Sequence, residues 1–102
     1  MKVLLQELTR EEIEERLKQL GIAILPVGSM EQHGLHLPLK YDSAAVSFIA
    51  EKAAEKLFPK VLVAPTVSVG LSAHHMRWPG TLTLQPDTFV NVMVDVFDSL
   101  GR

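Results

Sequence analysis

The 102-residue sequence contains no cysteine, and aromatic residues make up only 6% of it. The absence of cysteine excludes disulfide bonds and thiolate metal ligands, so a bound metal would have to be held by His, Asp, Glu or water. No apolar run approaches the roughly 18 residues of a membrane-spanning helix, and the N-terminus turns acidic at Glu7, too early for a signal peptide. We therefore expect no membrane partner and a cytoplasmic location.

The balance of apolar and charged residues is that of an ordinary globular domain. The apolar share is 47% and the charged share 22%, and 102 residues are enough for one domain with its own core. The formal net charge of −2 gives no bulk attraction for nucleic acid. We therefore expect a single folded unit without a nucleic-acid partner.

Hydrophobic periodicity predicts strands that alternate with helices. The predicted elements are, in chain order, a helix over residues 10–20, a strand over 22–27, a helix over 42–58, a strand over 61–65 and a helix over 86–100. The first helix opens with a capping-box pattern at Thr9 and Glu12, and Pro86 is a favourable first-turn residue for the third. The alternation predicts an α/β fold with a mostly parallel sheet, and both apolar strands are expected to be covered on both faces.

The third predicted helix is apolar around most of its circumference between Phe89 and Leu100. Such a helix is expected to be buried on more than one side. Two strands alone would also leave unpaired sheet edges, which favour association. We therefore expect that the fold continues past residue 102 in a larger parent architecture, or that partner chains close the core.

The residues best suited to chemistry follow the first predicted strand. Glu31 and His33 are two positions apart, so in an extended segment their side chains leave the same side. Asp42 stands where the second helix begins, where its carboxylate could bind a metal or simply cap a backbone N–H group. Carboxylates and imidazoles at the carboxyl end of a strand suit a Zn or Mn site. The joint pattern favours a metal site, although Asp42 alone is more simply interpreted as a helix cap.

A second loop over residues 66–80 carries His74 and His75, followed by Trp78. A histidine pair suits a metal ligand, a substrate contact or plain surface exposure, and its spacing does not decide between them. Trp78 before a Pro-Gly pair is typical of an aromatic ring packed over a turn, in the core or at an interface. His36, taken alone, is interpreted as a polar loop residue.

Two segments resemble the signatures of the creatininase (creatinine amidohydrolase) family. The first is Val27-Gly28-Ser29-Met30-Glu31-Gln32-His33-Gly34, continued by Leu37-Pro38-Leu39 and Asp42, and the second is Ser72-Ala73-His74-His75-Met76-Arg77-Trp78-Pro79-Gly80-Thr81. The resemblance covers nearly all of the chain. It implies a three-layer α/β/α fold with a mostly parallel sheet, of which residues 1–102 would be a truncated N-terminal part of a single domain.

The resemblance also implies roles for individual residues. Glu31, His33 and Asp42 correspond to metal ligands, with Asp42 as the bridge between two divalent ions, Zn or Mn with Fe as a further candidate. The positions implied to contact substrate or support the ligands are His36, His74, His75 and Trp78. His74 stands where many family members carry Glu, and no catalytic residue is assigned. Family members continue into a strand and an Asn-Gly-His-type loop with the remaining ligands, so this chain is expected to hold about half a site.

The activity implied by the resemblance is metal-dependent hydrolysis of a non-peptide C–N bond in a cyclic amide, formamide or related small molecule. With half a site, the chain is expected to be incomplete or inactive alone. The alternatives are a non-catalytic metal-binding or oligomer-assembly module, and a structural α/β fragment with vacant ligand positions. Family members form multimers, often hexamers, so a homo-oligomer is expected.

Overall fold

Helices and strands alternate along the chain in the computed structural model, which describes residues 2–101. The elements are α1 (Arg10–Arg16), β1 (Ile22–Ile24), α2 (Tyr41–Lys56), β2 (Val61–Val63) and α3 (Pro86–Leu100), with 3-10 turns at Leu5–Glu7 and Ala73–His75. The two strands pair in parallel, with Ile22 opposite Val61. The predicted α/β class and parallel sheet are therefore confirmed.

β2 lies between β1 and the amino-terminal segment. The Val63 N–H donates to the Val3 carbonyl at 2.8 Å, and the Ala64 N–H donates to the Ile24 carbonyl at 2.8 Å. All residues of β2 are buried, as its apolar run predicted. In β1, by contrast, Ile22 is 57% exposed. The expectation of two covered faces is wrong for β1, which is an edge strand within residues 2–101.

Alternate residues of the sheet face two different helical layers. Val61 and Val63 pack in the buried core with Ala50 and Ala54 of α2, and Ala54 is fully buried. The opposite face borders an apolar cleft whose lining includes Leu62, Ala64, Ile13, Leu17 and Leu100. Because those last three residues come from α1, its C-terminal cap and α3, the order of layers is helix, sheet, helix, as expected for the three-layer fold.

Local hydrogen bonds set the two ends of α1. Thr9 Oγ1 accepts from the Glu12 N–H at 3.1 Å, and Glu12 Oε1 accepts from the Thr9 N–H at 3.0 Å, which confirms the capping box. The helix ends at Arg16, whereas the prediction placed its end at Leu20. The Gln19 N–H donates to the Arg16 carbonyl at 3.0 Å, so the chain tightens into a turn before the predicted end.

α3 has the predicted bounds, and its apolar surface is not covered within the described residues. It begins at Pro86, and none of its described residues is buried. Val90, Val94 and Phe97 are 56%, 47% and 57% exposed. Their spacing places them along one face, so α3 presents an apolar strip that the described part of the chain does not cover. Like every other described helix, α3 is not both long and apolar enough to cross a membrane.

Candidate metal centre

Two loops leave the carboxyl ends of β1 and β2 side by side. The Gly28 N–H donates to the Val67 carbonyl at 2.8 Å and the Val67 N–H to the Pro26 carbonyl at 2.9 Å, which continues the parallel pairing past the strands. The second loop then returns to the first, where the Leu82 N–H donates to the Met30 carbonyl at 2.9 Å. Both loops are thereby held at the edge of the sheet where α/β folds bind their ligands.

Gly28 is needed because the start of α2 passes close to the first loop. A Cβ atom built on Gly28 would lie 2.6 Å from Ser43 Cα and 2.8 Å from Ser43 N. Only a residue without a side chain permits two backbone segments to approach this closely. The same approach brings Asp42, the neighbour of Ser43, against the first loop.

The three predicted metal ligands, Glu31, His33 and Asp42, converge at this edge. One ligand atom from each residue lies within 4.8 Å of the other two, and His33 Nε2 is 3.1 Å from Asp42 Oδ2. Donor atoms on a tetrahedral zinc ion, with bonds of about 2.0–2.1 Å, are about 3.4 Å apart. The His33–Asp42 distance lies within about 0.3 Å of that spacing. Two carboxylates and an imidazole fit a Zn or Mn ion, so the donor set agrees with the predicted metal.

Asp42 is held by side chains and not by the backbone of its helix. α2 begins at Tyr41 with Lys40 as its N-cap, and no side chain caps this end. Asp42 Oδ2 instead accepts from Ser29 Oγ at 2.6 Å and faces His33 Nε2. The simpler interpretation of Asp42 as a helix cap is therefore wrong, because its carboxylate turns toward the first loop.

A second group of ligand atoms also includes Glu31. Atoms from Glu31, His74 and His75 lie within 4.8 Å of one another, with His75 Nε2 3.9 Å from Glu31 Oε1. The two imidazole centroids are 4.3 Å apart. Gln32 contacts this group, since its Nε2 is 3.3 Å from His75 Nδ1 while its Oε1 accepts from the Gly34 N–H at 2.7 Å. Glu31 is thus common to both groups.

His36 and Trp78 lie outside both groups of ligand atoms. His36 is exposed, in a turn where Gly34 has a φ of 75°. Trp78 is 44% exposed, and the guanidinium carbon of Arg77 lies 5.1 Å from the centre of its ring. Trp78 is therefore not in the core, which leaves the interface interpretation, and the substrate roles of His36 and Trp78 stay predictions.

Three residues that contact the ligands were not found by sequence reasoning. They are Ser29, Gln32 and Tyr41. The Tyr41 ring lies 5.3 Å from the His33 ring, centre to centre, tilted by 60°. The position of Ser29 could have been predicted, because the two-residue period of an extended segment places its side chain on the same side as that of Glu31. For Gln32 and Tyr41 no such prediction was possible, since their contacts depend on how separate parts of the chain meet.

Comparison with known proteins gives a consistent result over nearly the whole chain. The family model Creatininase, described as creatinine amidohydrolase, matches residues 6–102. A 3-dehydro-scyllo-inosose hydrolase of Thermotoga maritima is 37% identical over 95 residues, which is 92% of this chain and 30% of the relative. Creatinine amidohydrolase of Pseudomonas putida is 29% identical over 98% of this chain and 40% of its own length. The chain thus spans 30% and 40% of the length of these two relatives.

Solved creatininase structures share the fold and include two metal forms. The manganese form superposes with a TM-score of 0.89 at 29% identity, over all of this chain and 41% of that chain. A mutant in a zinc–zinc form gives 0.88 at 29% identity with the same coverage, and a mutant complexed with creatine gives 0.89 at 30% identity. Divalent metals in these neighbours agree with the carboxylates and imidazoles gathered here.

Proposed function

The chain belongs to the creatininase family, and we propose that its site serves metal-dependent hydrolysis of a non-peptide C–N bond in a small cyclic amide or formamide. The observation that carries the proposal is the convergence of Glu31, His33 and Asp42 within 4.8 Å. The names of the relatives support hydrolysis in general, since they include a hydrolase and a mycobacterial peptidase. The bond type is supported by the relative named creatinine amidohydrolase.

In this proposal Glu31, His33 and Asp42 would hold a divalent ion, Zn or Mn. An ion bound there would supply Lewis acidity and would lower the pKa of a water molecule toward about 7. The chain's own residues fix the ligands in place. The Ser29 hydroxyl holds the Asp42 carboxylate through a bond of 2.6 Å, and the Tyr41 ring limits rotation of the His33 imidazole. Supporting contacts of this kind typically change metal affinity by about 10–100-fold.

A two-ion site needs more ligands than Glu31, His33 and Asp42 provide. Three protein ligands suffice for one catalytic ion with an open coordination position. A two-ion site, by contrast, needs a bridging ligand and further ligands for each of the two ions. We propose two ions in the complete site with Asp42 as the bridge. Affinity is then weak and turnover slight for residues 1–102 alone. The proposed setting is the cytoplasm, with a small amide as substrate.

Metal analysis of the purified chain tests this proposal. After dialysis against Zn²⁺ or Mn²⁺, mass spectrometry of the bound metal should show retention by the wild type and a loss of affinity of about 10-fold or more in Asp42→Asn. Asp98→Asn, which removes an exposed carboxylate from α3, is the matched control and should bind as the wild type does. Equal affinity in Asp42→Asn and the wild type would refute the assignment of Asp42.

The apolar strip on α3 favours a second candidate function, a non-catalytic metal-binding or oligomer-assembly module. Val90, Val94 and Phe97 are exposed at helical spacing, and β1 has a free edge within the described residues. Both features promote association, so we propose a homo-oligomer, a hexamer being the form expected for the family. Native mass spectrometry of Glu31→Ala separates the functions. If the chain is an assembly module, Glu31→Ala should lose its bound metal but keep its oligomer. The metal-loaded wild type should then not hydrolyse cyclic amides.

A further inference from the structure

We propose that Glu31, His74 and His75 form a second divalent-cation site, which this chain can fill independently of Asp42. Their ligand atoms lie within 4.8 Å of one another, and His75 Nε2 is 3.9 Å from Glu31 Oε1. One carboxylate with two imidazoles is a common ligand set for Zn²⁺. The inference depends on the proposed function only through Glu31, which both groups share.

The turn that carries the two imidazoles is anchored by buried backbone. The His75 N–H donates to the Ser72 carbonyl at 2.9 Å, and the Ser72 N–H donates to Thr83 Oγ1 at 2.9 Å. Ser72 itself is 0% exposed. A few residues on, the bond between Leu82 and Met30 fixes this loop to the residue before Glu31. The three donors are therefore held on two loops that the backbone already joins, which lowers the cost of closing them on an ion.

The donor atoms lie somewhat further apart than on a tetrahedral ion, with every pair within 4.8 Å. The 3.9 Å between His75 Nε2 and Glu31 Oε1 exceeds the donor spacing on a tetrahedral ion, about 3.4 Å, by about half an ångström. The side chains of Glu31 and His75 are only 16% and 25% exposed, whereas His74 is exposed. An ion bound here would have protein on its inner side and water on its outer side. The remaining coordination positions would be filled by water.

The position of this group distinguishes it from the group around Asp42. His74 and His75 come from the loop after β2, whereas His33 and Asp42 come from the loop after β1 and from α2. No ligand atom other than those of Glu31 is common to the two groups. A substitution at His74 should therefore remove one ion and leave the other in place.

Zinc titration of the full chain by calorimetry, with metal counting after equilibrium dialysis, tests the second site. We expect two ions on the wild type, one on Asp42→Asn, one on His74→Asn, and none on the double variant. Loss of a ligand should lower the affinity for the affected ion by about 10-fold or more. Asp98→Asn is the control for removal of a charge elsewhere, and circular dichroism checks that each variant is folded.

The two single variants separate failure of this inference from failure of the proposed function. If His74→Asn binds as many ions, and as tightly, as the wild type while Asp42→Asn loses one, the second site does not exist. If instead Asp42→Asn matches the wild type while His74→Asn loses one, the second site stands and the role of Asp42 in the proposed function fails. Co²⁺ provides an independent readout, since the visible spectrum should change in His74→Asn and would stay unchanged if His74 were not a ligand.

Discussion

Replacing Gly28 with Ala should lower stability and weaken cation binding together, because the added methyl group would meet the backbone that positions Asp42. The new Cβ would lie 2.6 Å from Ser43 Cα, whereas carbon atoms pack at about 3.5–4.0 Å. The first loop and α2 would have to separate by about 1 Å. Gly28 is also tied to Val67 by a backbone hydrogen bond of 2.8 Å, so the loop cannot move freely. Overpacking of this kind costs about 1–3 kcal/mol, and a displaced α2 would carry Asp42 away from His33.

Urea unfolding followed by circular dichroism measures the loss of stability, and zinc titration measures the loss of affinity. Gly21→Ala is a matched control, because the nearest atom to its Cβ would be the Lys60 carbonyl oxygen at 4.0 Å and Gly21 does not have a positive φ. This control should be neutral or more stable by about 0.4–1 kcal/mol. If Gly28→Ala unfolds at the same urea concentration as Gly21→Ala, or loses stability with zinc affinity intact, the close approach of α2 does not position Asp42.

Four further predictions concern other parts of the chain. Thr9→Ala should lose about 1 kcal/mol in urea unfolding through the missing cap. The pKa of Glu12 is lowered by its hydrogen bonds to the Thr9 N–H and to a lysine. The stabilising effect of the Glu12 carboxylate is therefore present above its ordinary pKa and is lost as the pH falls through the lowered value. An NMR titration of Glu12 would follow this loss. Gln32→Glu should raise zinc affinity at His75, since a carboxylate can accept from Nδ1–H and so leave Nε2 free for the ion; unchanged affinity would contradict this. Val94→Asp should reduce self-association in light scattering without changing zinc affinity, and an unaltered mass would exclude the α3 strip as the interface.

The positions of the elements were predictable because long periodic segments dominate the sequence. α3 has its predicted bounds, since Pro86 opens an uninterrupted apolar pattern. The strands are shorter than predicted, over Ile22–Ile24 and Val61–Val63. Pro26 and Pro65 lie just beyond them and have no N–H to donate to the ladder. What covers α3 was not predictable, because apolar character shows that a surface tends to be covered but does not identify the covering element.

The site was predictable where it is local in sequence and not where it joins separate loops. The spacing of Glu31 and His33 follows from the two-residue period of an extended chain. The contact of His75 with Glu31 depends on a backbone bond between Leu82 and Met30, which no local pattern encodes. The tertiary pairing of the two loops is therefore the step that sequence reasoning could not supply.

Glu31 belongs to both groups of ligand atoms, so the groups differ chemically only in their other ligands. The group with Asp42 has two carboxylates and one imidazole, whereas the group with His74 has one carboxylate and two imidazoles. Carboxylates suit Mn²⁺, and imidazole suits Zn²⁺ and other late first-row metals. An imidazole at position 74, where the family resemblance would place Glu, also lacks the negative charge with which a carboxylate would offset two adjacent dications. With His in place of Glu at position 74, the second group should still bind a cation, but it should favour metals that prefer nitrogen ligands. The two groups should therefore differ in the metal they select.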